Sequence, residues 1–168
     1  PRHCPVIVGM GPAGVFAAMT YAEAGLQPII LERGKPVEDR EQDVNRLWQE
    51  DSLDEESNPL FGEGGAGTFS DGKLNTRIND PLVRYILEKL AAFGARDRIL
   101  TDAKPHIGTD RLIKVMQEAR TWLIERGVQI RFGTRMTGFT GTPDGIVLHT
   151  STGEDITGSW ALLALGHS

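Results

Sequence analysis

The sequence holds one cysteine, Cys4, which excludes an internal disulfide, a CxxC redox pair and a cysteine-built zinc site. A reducing, cytoplasmic compartment is the matching expectation. Long hydrophobic runs are missing too. The longest unbroken apolar stretch is Trp160 to Leu165, against the roughly 20 residues that cross a bilayer, so no membrane partner is expected. Basic charge is also short. With 18 Lys and Arg against 23 Asp and Glu the formal charge is −5, and no Lys/Arg block stands out, so a nucleic-acid partner is not expected.

What the chain has in excess is glycine, 20 of 168 residues, or about 12% against a usual share of about 7%. Eight of those 20 lie in two short stretches, residues 9–14 and 62–72. The rest of the composition is that of a globular domain, and the length suits a single one spanning residues 1–168. A start without methionine, at an apolar strand, and an end at Ser168 just after another such strand suggest a piece of a longer, multidomain polypeptide.

The run Pro5-Val6-Ile7-Val8 meets Gly9, Gly11 and Gly14, then a helical stretch ending near Gly25, then a second apolar run, Ile29 to Leu31. Strand, tight turn, helix and strand make a βαβ unit with parallel strands. Helices follow over residues 36–50, with Val37, Val44, Leu47 and Trp48 as a narrow apolar stripe on a solvent-facing element, and over 81–93, with Leu82, Val83, Ile86, Leu87 and Leu90 on one face. A third runs to Arg126, capped by Thr109 or Asp110. A strand at 128–132, a meander of segments near 135–140, 145–150 and 154–158, and a strand at 160–165 complete the chain. The expected fold class is α/β, with a central parallel sheet, helices and a small antiparallel β-meander.

Gly9-Met10-Gly11-Pro12-Ala13-Gly14 matches GxGxxG in the strand–turn–helix setting that gives the motif meaning. Gly9 suits the tight turn, Gly11 close approach of backbone to a pyrophosphate, and Gly14 close packing of helix on sheet. The helix N-terminus then offers N–H groups to an anion. Glu32, at the tip of the second strand, is placed to accept hydrogen bonds from ribose hydroxyls, and its charge argues against a 2′-phosphate. The second stretch, with Gly62, Gly64, Gly65, Gly67 and Gly72 beside Thr68, Ser70, Asp71 and Lys73, suits a backbone lying against a large planar ligand.

Together with Glu32-Arg33-Gly34 and the final ALLALGHS, these motifs resemble the glutathione-reductase-type FAD-binding fold, a Rossmann-like FAD/NAD(P)-binding domain. More narrowly, the chain is similar to a family of uncharacterised bacterial FAD-dependent dehydrogenases, in which GGAGTFSDGKL and KPHIGTD are signature-like segments. The resemblance implies an FAD-dependent oxidoreductase of longer chain, with substrate or cap regions and further domains beyond these residues. NAD(P)H is its implied electron donor and a small molecule its substrate. It implies FAD contacts from Gly9, Gly11, Pro12, Ala13, Gly14, Glu32, Arg33, Gly64, Gly65, Gly67, Thr68, Ser70, Lys73 and Gly166. Leu165-Gly166 stands where related flavoproteins carry Thr-Gly.

Lys73 first and Lys104 second are candidates for a cation near the flavin pyrimidine, and His106 for an acid/base or flavin contact. Lys73 and His106 are thus the two candidate catalytic residues. His3, His149 and Cys4 have no metal-ligand spacing, and no metal is expected. Two other readings stay open: a dehydrogenase domain using NAD alone, and a non-catalytic flavin-binding or scaffold module.

Overall fold

The structure is a computed structural model that describes residues 4–70, 73–74, 79–102 and 105–166. Its centre is a four-stranded parallel sheet in the order β3-β2-β1-β7, from β1 (Pro5–Val8), β2 (Ile29–Leu31), β3 (Gln129–Arg131) and β7 (Trp160–Leu163). β1 lies between two neighbours with both faces covered, so every one of its residues is buried. That explains an unbroken apolar run where a half-exposed strand would alternate.

The alternation of β1 divides the core. Ile7 points with Ile30 into the layer made by α1 (Pro12–Glu23) and α4 (Thr109–Glu125), against Val15, Ala18, Val115 and Leu123. Val6 and Val8 point with Leu31 to the opposite face, against Leu148 and Ile156. Those two belong to an antiparallel meander of β4 (Met136–Thr142), β5 (Gly145–Thr150) and β6 (Asp155–Gly158). The domain is therefore three layers, helix on parallel sheet on meander. Among the described residues, no helix is long and apolar enough to cross a membrane.

Two local readings of the sequence need correction. α2 (Val37–Glu50) is not a solvent-facing helix with one apolar stripe. Val37 and Val44 are fully buried, but so are Arg40 and Asp43, while Trp48 is 61% exposed. The buried side of α2 carries charge because it supports a loop rich in carbonyl groups. α4 has no side-chain cap from Thr109 or Asp110, because Gly108 occupies the cap position with φ of +87°. The Thr109 hydroxyl instead donates to the Ser70 carbonyl at 2.9 Å, tying the helix to the second glycine loop. In α3 (Pro81–Ala92) only Leu90 is fully buried, and Leu82 is 66% exposed. Here the cap is orthodox: Asp80 accepts from the Leu82 amide at 2.8 Å, with Pro81 opening the helix.

Candidate functional site

The C-terminal ends of β1 and β2 open into a cleft of about 420 Å³. Such a crevice beyond the carboxyl ends of parallel strands is where open α/β sheets bind ligands. Its floor is built by the first glycine motif. Gly14 lies against the turn, where a Cβ would run into the carbonyl oxygen of Gly9, and this close fit sets the start of α1 over β1. Gly11 caps α1 and Pro12 takes the first helical position, so the amides of Ala13 and Gly14 stand at the helix end without an intrahelical acceptor.

Glu32 is 2% exposed and lines the cleft. One carboxylate oxygen accepts from the Met10 amide at 2.7 Å and the other from the Gly34 amide at 2.8 Å. The side chain thus braces the glycine turn as well as facing the cleft. A carboxylate can accept about four hydrogen bonds, so capacity for ribose hydroxyls is left.

The second glycine loop touches the first. The Gly64 amide donates to the Met10 carbonyl at 3.0 Å, and a Cβ on Gly65 would lie 2.6 Å from Pro12 Cδ. The two loops therefore meet at Gly11 and Gly65, both of which line the cleft. Beneath them Arg40, fully buried, donates to the carbonyls of Asn58, Glu63, Pro59 and Gly65 at 2.8 to 3.4 Å, with its guanidinium 4.7 Å from the Phe69 ring centre. Burial pulls its pKa down to about 10, against the raising fields of Glu32 and Glu63, so it stays cationic at neutral pH.

Glu63 is fully buried. It accepts from the Val37 amide at 2.7 Å and from Arg120 at 2.9 Å, and Arg120 also holds Glu38 at 2.6 Å. Burial pushes the Glu63 carboxyl up to about 7, with Arg120 and the Val37 amide opposing and the charges of Glu38 and Glu32 assisting. A carboxyl whose folded pKa lies above its unfolded value favours the fold fully below the unfolded value and loses that contribution as pH rises through the folded one. Stability should therefore decline between about pH 4.5 and pH 7, by on the order of 3 kcal/mol from this group. In a Glu63→Gln variant the urea midpoint should fall less steeply across that window; equal slopes in both proteins would refute the assignment.

At the other end of the cleft Arg33 and Arg135 share one carboxylate, Glu56, at 2.6 and 3.3 Å. The Arg33 guanidinium lies 4.5 Å from the ring centre of Phe61. Arg135, Met136, Leu60 and Phe61 line the cleft and were not singled out in the sequence. Arg135 and Met136 come from the link between β3 and β4, too distant in sequence for any spacing to connect them with GxGxxG. Leu60-Phe61 had a faint signal, as an apolar pair immediately before the glycine run.

Of the residues singled out, Gly9, Gly11, Pro12, Ala13, Glu32, Arg33, Gly65 and Gly166 line this cleft together. Gly14 lies behind it. Gly64 and Gly67 line a second, smaller cavity with Lys73. Thr68 is fully buried, and Ser70 donates to the Gly67 carbonyl within its own loop at 3.1 Å. Lys73 and His106 face each other in a short antiparallel bridge, reinforced by the Leu74 amide on the Pro105 carbonyl at 2.9 Å. Lys73-Leu74 of the first signature segment and Pro105-His106 of the second are thus neighbours in space. Lys104, Asp71, Gly72 and His3 lie outside the described residues.

Fold and cleft together define a Rossmann-like α/β domain with a crevice at the carboxyl ends of its parallel strands. No protein-family model matches the chain. A protein of Clostridium beijerinckii, described only as uncharacterized, is 42% identical over 167 residues, which is 98% of this chain and 31% of that protein. The chain thus spans about a third of the length of the curated relative it matches. Among solved structures, the halogenase PltM superposes with a TM-score of 0.59 at 14% identity, over 98% of this chain and 34% of its own. FqzB does so with a TM-score of 0.59 at 17% identity, over 100% of this chain and 37% of its own. PltM has also been solved in complex with phloroglucinol and FAD, and in that form gives a TM-score of 0.57. At these identities the likeness is one of fold.

Proposed function

We propose that the chain is the FAD-binding part of a flavin-dependent oxidoreductase acting in the cytoplasm, a dehydrogenase that oxidises NAD(P)H as electron donor and passes the electrons through the flavin to a small-molecule substrate as acceptor. The observation that carries the reading is the convergence in one cleft of the amide end of α1, the ribose-facing carboxylate Glu32 and the second glycine loop through Gly65. Bound flavin would supply the hydride or electron transfer. The chain's own residues bind and orient. The Ala13 amide at the open end of α1 would meet the pyrophosphate, Glu32 would accept from the adenosine ribose with its angle fixed by Met10 and Gly34, and Gly11 and Gly65 would leave room for the backbone to approach. Lys73 and His106, bridged to each other beyond Gly67, are the candidates for contact with the ring end.

The test is competition titration of the purified protein with FAD, ADP, FMN and NADH, read by flavin fluorescence and calorimetry. FAD should bind, ADP should displace it, and FMN, which lacks the adenosine half, should bind at least tenfold more weakly. Tighter binding of NADH than of FAD would favour the NAD-only reading, and no uptake of FAD or ADP would overturn the site.

A further inference from the structure

A second cavity, of about 150 Å³, lies on the far side of the Pro12–Gly65 contact from the cleft. Three helices wall it: Val15 and Phe16 from α1, Ile86 and Leu90 from α3, and Leu112 and Met116 from α4. The second glycine loop borders its mouth, with exposed Gly67 and Lys73 at the rim. Its interior is carbon and sulfur almost throughout. A water needs two to four polar partners to be held in such a space, and an apolar cavity of about this volume stays dry and admits a benzene-sized guest.

We propose that this cavity is an apolar subsite for a planar group the size of benzene or xylene. Its wall is shared with the proposed cofactor cleft through Pro12 and the Gly64–Gly67 segment. Two sources have that chemistry: the dimethylbenzene edge of a flavin, and an aromatic part of a substrate. The cavity is separate from the cleft, so a failure of FAD to bind would leave this proposal standing, and the reverse also holds.

The probe is o-xylene, added to the purified protein and followed by thermal melting and by NMR of the Met116 methyl group. At about ten times its Kd it should raise Tm by about 3 °C and shift that methyl resonance. Ile86→Phe, which fills the cavity, should abolish both effects. Leu90→Ala, which enlarges it, should keep them and extend them to bulkier arenes. No effect in the parent protein, or the same effect in Ile86→Phe, would overturn the proposal. Loading with FAD then separates the sources. Exclusion of o-xylene by FAD supports the flavin edge as occupant, and simultaneous binding supports a substrate group.

Discussion

An Arg40→Met variant should melt about 6–20 °C below the parent protein and lose FAD binding with it. Methionine fills most of the space but donates nothing, so the carbonyls of Asn58, Pro59, Glu63 and Gly65 would lose the donor that gathers them. Removing one partner from a buried charged network costs about 3–5 kcal/mol, a large part of the usual 5–15 kcal/mol margin of a domain. Glu63 would be affected in the same substitution, because its backbone carbonyl is one of the four acceptors and its carboxylate is one of the charges that favour the guanidinium cation. Arg40→Lys should fall between the two. An ammonium keeps the charge and three donors but cannot spread them over four carbonyls in the plane of a guanidinium. Paired thermal melts and FAD titrations check this; a Met variant melting within about 2 °C of the parent would sink the clamp.

The same residue shows where the sequence was legible and where it was not. The Rossmann half could be read because its signals are local. An apolar strand, glycines at fixed offsets, a helix and a carboxylate at the next strand end follow one another in 28 residues, Pro5 to Glu32, and the structure assembles them into one wall of the cleft. The meander was legible for the same reason, its strands being separated by short glycine turns. Arg40 was not. In a helix as charged as α2, nothing in composition or period distinguishes a buried arginine from a solvated one. Its partners are carbonyl groups, which leave no mark in the sequence at all. Arg135 and Glu56 were hidden for a related reason: an ion pair between segments 79 residues apart in number has no spacing rule. The cap of α4 was misread because Thr109 has the right chemistry for capping but spends its hydroxyl on Ser70. Helix propensity sees the first fact and cannot see the second.

Two glycines of the fingerprint should separate folding from binding. At Gly14 an added methyl group meets the carbonyl of Gly9, a backbone atom held by the sheet, so the helix must move. Gly14→Ala should therefore destabilise the fold by about 1–3 kcal/mol, and any loss of ligand binding would follow that displacement. Gly11 is different. Its φ of −68° suits any residue, and the nearest atom to an added Cβ is Gly65 Cα at 3.9 Å, an ordinary contact. Gly11→Ala should cost the unliganded protein less than about 1 kcal/mol, mostly from the poorer cap. If the pyrophosphate lies against that backbone, the same methyl group takes its place, and affinity for both FAD and ADP should drop at least about 100-fold, or roughly 3 kcal/mol. Urea unfolding of the two variants without ligand, set beside their ADP titrations, gives a crossed pattern: Gly14→Ala weak in stability, Gly11→Ala weak in binding. An ADP affinity within about threefold of the parent for Gly11→Ala would remove the pyrophosphate from this turn, whatever the fold resembles.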